Sequence, residues 1–472
     1  MAKLKGIQCK APNEKEFRKM AENQYDYDLA VIGSGPGGYV AAIKAAKTGM
    51  RTAVIENKQA GGTCLNRGCI PTKTILHSAE IFRELQNGGA FGIHAESISY
   101  NMEEIQSKKD EVVEQLGSGI HMLFNNNRIS FYQGSGQIRD AHTVWTGEEL
   151  LTTKYILIAT GSVPADLPVE GASLEGVFNS DQLLERKKPC KKLVIIGGGV
   201  IGMEFASIYQ ALGTEVVVIE AMDRILSNMD KEIGQNLKMI MKKRGVIIYT
   251  QANLEKIWDD NGLHCSFQVK GERQEIETEA VLMAAGRKAC TKGLFGDQMS
   301  VEMERDKIKV NENFQTNYEN IYAAGDVIGG ISLAHMASAE AINAVCHMNG
   351  EEAVMNLGTV PACVYTNPEI ACVGMTAQEA KDSGIEVITS KYLMSANGKS
   401  LLTGQDRGFI KLVAVKDTGQ ILGAQMMCAR ATDMIGEIGL AIAGGLTKNN
   451  IRSVIHPHPT FSEGIWEAAE LL

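Results

Sequence analysis

Long apolar runs are missing from this chain. No stretch of about 18 uninterrupted apolar residues occurs, so no membrane-spanning helix is expected. Aromatic residues make up only 6%, too few for the stacking platforms that hold single-stranded nucleic acid. Basic residues are in the minority, 47 Lys plus Arg against 56 Asp plus Glu for a net charge of −9, which argues against a nucleic-acid partner. Cysteine is sparse, 10 in 472 residues, and this excludes a small secreted disulfide scaffold. Residues 1–24 have no apolar core of signal-peptide length and no serine. Their single arginine, Arg18, stands among Glu14, Glu16 and Glu22, unlike an organelle transit peptide. Together these absences point to a reducing cytoplasm, where a close cysteine pair is more often catalytic than structural.

What is there is ordinary globular material, 44% hydrophobic and 22% charged, long enough for roughly three domains. Glycine is plentiful, 49 of 472, against an average of about 7%. Two of its clusters share one context. The apolar run Tyr27 to Ile32 breaks into Gly33-Ser34-Gly35-Pro36-Gly37-Gly38; a small-residue helix is expected from Tyr39 to Thr48, then a strand from Thr52 ending at Glu56. Downstream, Leu193 to Ile196 runs into Gly197-Gly198-Gly199-Val200-Ile201-Gly202, a helix to Leu212, and a strand from Glu215 ending at Glu220. The first glycine and the acid are 23 positions apart in both copies.

This is the strand, G-x-G-x-x-G, helix, strand, acid pattern of a dinucleotide-binding unit. Gly33 and Gly197 permit the tight turn, Gly35 and Gly199 let a pyrophosphate approach the backbone, and Gly38 and Gly202 let helix and strand pack closely. The phosphates meet the free N–H groups and positive dipole end of a helix. Glu56 and Glu220 are placed to bind ribose hydroxyls and would repel a 2′-phosphate, so unphosphorylated ribose is expected at both. Arg224, near the second acid, reads as a helix cap or half of a surface pair.

A close cysteine pair follows the first unit, in Gly61-Gly62-Thr63-Cys64-Leu65-Asn66-Arg67-Gly68-Cys69-Ile70-Pro71-Thr72-Lys73. It is either two unrelated thiols or a redox pair. In the second case its position beside the first dinucleotide unit assigns FAD to that unit and a nicotinamide to the second. Near the other end lies His456-Pro457-His458-Pro459-Thr460-Phe461-Ser462-Glu463. Thiol–disulfide exchange needs a base of near-neutral pKa, which histidine supplies, and Glu463 can fix its tautomer. A Pro-locked turn or a two-histidine metal site are the other readings, the metal disfavoured for want of a third ligand. Ile321 to Val327, a short strand ending in Gly325-Asp326, reads most simply as a helix N-cap on the stretch that follows.

From about Tyr27 to Glu470 the chain resembles the pyridine-nucleotide disulfide oxidoreductases. The segment Gly61 to Lys73 matches that family's redox-active disulfide motif, Ala324-Gly325-Asp326 its second flavin-contacting motif, and His456 to Glu463 its lipoamide-type ending. Glutathione-type members end in a single histidine with two adjacent acids, whereas Gly464 follows Glu463 here. The resemblance implies an α/β fold with two Rossmann-like domains, a central domain and a C-terminal α+β dimerisation domain. Its expected bounds are an extension of unknown role (1–24), an FAD domain (25–164), an NAD domain (165–283), a central domain completing the FAD site (284–357) and an interface domain (358–472).

It further implies a Cys64–Cys69 disulfide, with Cys64 as the interchange thiol and Cys69 in contact with flavin. His458 is the implied base and Glu463 its partner. Lys73, Thr160, Gly161 and Asp326 join the FAD site, Asp326 at the ribityl chain; Glu204, paired with Lys73, and Gly286 join the NAD site. The implied activity is oxidation of protein-bound dihydrolipoamide with NAD as acceptor, in a homodimer serving a lipoyl-bearing acyltransferase or carrier protein. An NAD(P)H-dependent reductase of another small disulfide is the alternative. No metal is expected. Two departures stand out. Arg67 replaces a small apolar residue and is expected to retune the thiols or substrate entry, and Gly286-Arg287-Lys288-Ala289 lacks the usual Arg-Pro pair, so that loop is expected to pack differently.

Overall fold

The computed structural model describes residues 24–472; the extension 1–24 lies outside them except for its last residue. The chain forms two compact units. The first comprises the described residues to Gly62, with Gly119–Gly161 and Ala289–Val354. Its sheet runs in the order Ser130–Gln133, Thr52–Glu56, Tyr27–Ile32, Leu150–Ile158, with Ile321–Ala323 also pairing parallel to Leu150–Ile158. Leu29, Ala30 and Val31 are fully buried, as a parallel strand covered on both faces must be. The order is that of a doubly wound sheet, which places its ligand at the carboxyl ends of the strands.

The helix after the first glycine loop spans Pro36–Lys47, starting three residues before the expected Tyr39. Proline has no N–H to leave unpaired and its fixed φ suits the first helical position, so Gly35 becomes the N-cap. The helix turns Gly37, Gly38, Ala41, Ala42 and Ala45 inward. Against it lies Ala334–Met348, with Ser338 Oγ donating to the Pro36 carbonyl at 3.1 Å. The N-cap of this second helix is Leu333. Asp326 is therefore not a helix cap, and that simpler reading fails because the chain takes seven further residues to turn before the helix begins.

The second unit comprises Thr63–Ser118, Ser162–Lys288 and Met355–Leu472. It holds a parallel sheet in the order Ile247–Thr250, Glu215–Glu220, Lys192–Ile196, Ala280–Met283, Val177–Asn179, with an antiparallel sheet of Ala252–Asp259, Leu263–Val269 and Glu272–Thr278. A separate five-stranded antiparallel sheet runs Ala362–Val364, Ile370–Gly374, Ile421–Met427, Phe409–Val415, Val387–Leu393. Helices Ala431–Ala443 and Glu463–Glu470 bury Ile435, Ile438, Ile465 and Ala468 in one core with Leu412 and Met426. That core anchors the start of the last helix, where Glu463 sits. No helix among the described residues is long and apolar enough to cross a membrane.

Candidate active site

The cysteine pair straddles a break between two helices. Cys64 lies inside the short helix Gly62–Arg67, and Cys69 opens the helix Cys69–Gln86. Gly68, at φ −144° and ψ −106°, stands between them without any side-chain cap. The break brings the two sulfurs into hydrogen-bond contact. It also leaves Cys69 at a helix N-terminus, where the dipole favours a thiolate.

The two thiols differ in acidity. Cys64 donates to the Cys69 sulfur, and that hydrogen bond, reinforced by burial, pushes its pKa far up. Accepting the same bond pulls Cys69 down to about 7, with burial opposing and the Lys73 charge assisting. Lys73 lies one helical turn beyond Cys69.

Lys73 Nζ reaches both carboxylate oxygens of Glu204, at 2.9 and 2.7 Å. Glu204 is buried on the helix Val200–Ala211, which leaves the second glycine loop. A residue that sequence reasoning missed completes this pair. The Tyr365 N–H donates to Glu204 Oε1 at 3.0 Å, and its ring lies 4.5 Å beneath Lys73 Nζ. A cation over an aromatic face and a carboxylate held by a backbone donor fix both partners.

The two glycine loops are built alike. Gly33 and Gly197 have φ of +99° and +111°, and a Cβ on Gly38 or Gly202 would fall inside the carbonyl oxygen of Gly33 or Gly197. Glu56 accepts from Ser34 N, Ser34 Oγ and Lys58 N at 2.8 to 2.9 Å. Glu220 accepts from Gly198 N at 2.5 Å and Met222 N at 2.6 Å. Each carboxylate is thus anchored to its own loop. Nothing lies within 4 Å of the Cβ direction at Gly199, and at Gly35 only Gly62 Cα does, at 3.9 Å; both loops have room for phosphates. In the first unit, Thr160 Oγ1 is buried without a hydrogen-bond partner beside Gly161. An orphaned hydroxyl next to the loop fits a bound dinucleotide.

Gly286 has φ +129°, and the loop after it is held by Arg287, which donates to Ser162 Oγ and O at 2.8 Å each, and by Lys288, 2.6 Å from Asp166. These bonds anchor the loop in the absence of the Arg-Pro pair. Arg224, half-buried, donates to Ser227 O at 2.8 Å and lies 3.5 Å from Asp223, within its own turn.

At the C-terminal end, His458 Nδ1 is 2.8 Å from Glu463 Oε1, and Glu463 Oε2 accepts from Thr460 N at 2.7 Å. The Thr460 N–H and the imidazole both hold the Glu463 carboxyl below its usual range, so it accepts and Nδ1 donates. Nε2 is left for proton transfer on a side chain 77% exposed. His456 differs: its side chain is 7% exposed, with Nε2 3.1 Å from Glu437. Among the described residues, no hydrogen bond joins His458 to either cysteine of the same chain, and no cluster of three or more His, Cys, Asp or Glu suited to a metal occurs.

Two dinucleotide loops and one acid-differentiated thiol pair in a single chain define a dinucleotide-dependent thiol–disulfide oxidoreductase. Residues 27–341 match the pyridine nucleotide-disulphide oxidoreductase family and residues 360–469 that family's dimerisation domain. The chain belongs to this family, whose cofactors are FAD and NAD. It is 40% identical over 463 residues to a dihydrolipoyl dehydrogenase of Bacillus subtilis, spanning 94% of this chain and 97% of the relative. The same name belongs to a Staphylococcus aureus relative, 37% identical over 94% of this chain and 96% of its own. Among solved structures, LpdA from Mycobacterium tuberculosis superposes with a TM-score of 0.88 at 26% identity, covering 94% of this chain and 99% of that one. The HOCl-induced flavoprotein disulfide reductase RclA of Escherichia coli gives 0.85 at 28% identity, with 94% and 100% coverage.

Proposed function

We propose that this protein is a homodimeric, cytoplasmic enzyme that oxidises protein-bound dihydrolipoamide to lipoamide with NAD as acceptor. Its partner is the lipoyl-bearing acyltransferase or carrier protein of a multienzyme complex. The observation that carries the reading is the division of labour at the thiols. Cys69 opens a helix with Lys73 one turn on, which favours its thiolate, while Cys64 lies inside the short helix before it and is held protonated by its bond to Cys69. In exchange the better leaving group is the thiol of lower pKa.

Starting from a Cys64–Cys69 disulfide, one thiol of dihydrolipoamide gives its proton to Nε2 of the partner subunit's His458. The resulting thiolate attacks Cys64 Sγ. The Cys64–Cys69 bond breaks, a mixed disulfide forms on Cys64, and Cys69 leaves as thiolate, stabilised by its helix terminus and Lys73. The second lipoyl sulfur, deprotonated in turn, attacks the first and releases Cys64 with a proton. Lipoamide departs and the protein holds two electrons as its thiol pair. Bound FAD supplies the acceptor that returns this pair to the disulfide, and NAD the final hydride acceptor. Glu463 keeps the imidazole in the Nδ1–H form throughout, and Glu204 and Tyr365 hold the Lys73 ammonium in place beside Cys69.

The first glycine loop, with Thr160, Gly161 and Asp326, holds FAD; the second, with Glu204, Glu220 and Gly286, holds NAD. Purified protein assayed with dihydrolipoamide and NAD, and separately with NADPH and glutathione disulfide, tests the reading. Turnover is expected with the first pair, and a preference for the second would overturn it.

A further inference from the structure

Glu340 is a buried carboxylate that the reaction itself does not use. It sits on the helix Ala334–Met348, 4% exposed, and its Oε2 accepts from the Gly325 N–H at 2.7 Å. Gly325 has φ +80°, and a Cβ there would press on Ala337 of the same helix at 3.0 Å. The same turn of helix carries Ser338, bonded to the Pro36 carbonyl, and Ala337, whose carbonyl lies against Gly37. One turn of helix thus grips two separate segments, the glycine loop at Pro36–Gly37 and the turn that presents Asp326.

We propose that Glu340 is a positioning residue for FAD, fixing through the Gly325 N–H the turn that aims Asp326 at the cofactor. This rests on the assignment of FAD to the first loop. A side-chain oxygen of the right reach gives the Gly325 N–H a directional bond, and a buried polar group left unpaired is costly. Without it the Gly325 N–H, on a left-handed glycine, loses its acceptor on the helix. Affinity then falls because the site must be ordered on binding instead of beforehand.

The role is one of reach rather than charge, and two variants separate these. Glu340→Gln keeps an oxygen acceptor at the same length without the charge. Glu340→Asp keeps the charge but withdraws it by one methylene. FAD affinity is measured on cofactor-free protein by the change in flavin fluorescence, and Gly325 protection by amide hydrogen exchange of the 321–327 segment before FAD is added. The Asp variant, and Glu340→Ala where it folds, are expected to bind FAD about 10- to 100-fold more weakly and to lose protection at this segment. The Gln variant should stay within about 3-fold of wild type by the same arithmetic. Asp binding as tightly as wild type, or Gln weakened with protection intact, would overturn the proposal. A wild-type protein that binds no FAD at all would instead sink the cofactor assignment beneath it.

Discussion

Glu463 holds His458 with one oxygen and the Thr460 backbone N–H with the other, at 2.8 and 2.7 Å, so the imidazole is oriented from a helix start that is itself anchored in the core. The His458 side chain is 77% exposed, and among the described residues no hydrogen bond joins it to a cysteine of the same chain.

His458→Gln is expected to lower dihydrolipoamide turnover by about 10²–10⁴, the worth of a positioned general base, while reduction of the protein by NADH barely changes. His456→Gln should be mild on both, since His456 is tucked against Glu437. Stopped-flow reduction by each substrate separates the two. Equal losses from the two histidines would favour a structural turn.

Mixed dimers test where the site is assembled. Cys64→Ser and His458→Gln homodimers should each be nearly inactive. Co-refolding pairs half the chains into mixed dimers, in which one site collects both lesions and the other none, so roughly a quarter of wild-type activity should return. With chain exchange shown by a tagged pull-down and no activity recovered, the shared site is refuted.

In the proposed NAD site, Glu220 accepts from the Gly198 and Met222 N–H groups. NAD should be preferred over NADP, and Glu220→Ala should narrow the ratio of kcat/KM values, because the carboxylate no longer repels a 2′-phosphate. A wild-type preference for NADP would contradict this.

The sequence made these loops legible because everything in them is local: glycine spacing, apolar runs and a closing acid within 23 positions. The helix start at Pro36 was hidden by residues that look like loop. Lys73 and Glu204, 131 residues apart, were paired only through a family resemblance, and Tyr365 could not be placed at all. Its part is played by a backbone N–H and a ring face, neither of which leaves a motif. Glu340 carries no sequence motif, since its partner is a main-chain amide.

Glu340 also gives stability a pH dependence. Burial, with Asp326 adding to it, pushes its carboxyl up to about 7 against the opposing Gly325 bond. Between about pH 4.5 and 7 the folded protein therefore holds a proton that the unfolded chain has lost, so this contribution is present at low pH and lost as pH rises. Relative to wild type, Glu340→Gln should gain stability from pH 5 to pH 8, by about 3 kcal/mol at most. Urea midpoints at both values, on FAD-free protein, check the sign; a relative loss would contradict it.

The measurement closest to the central claim is anaerobic two-electron reduction of the holoprotein by dihydrolipoamide, followed in the long-wavelength visible spectrum. Only the sulfur that stands as thiolate against flavin produces a band there. Wild type should develop the band on reduction, Cys64→Ser should show it permanently, and Cys69→Ser should never show it. Identical spectra from the two variants, or a permanent band in Cys69→Ser, would contradict the assignment of Cys64 to exchange and Cys69 to the cofactor.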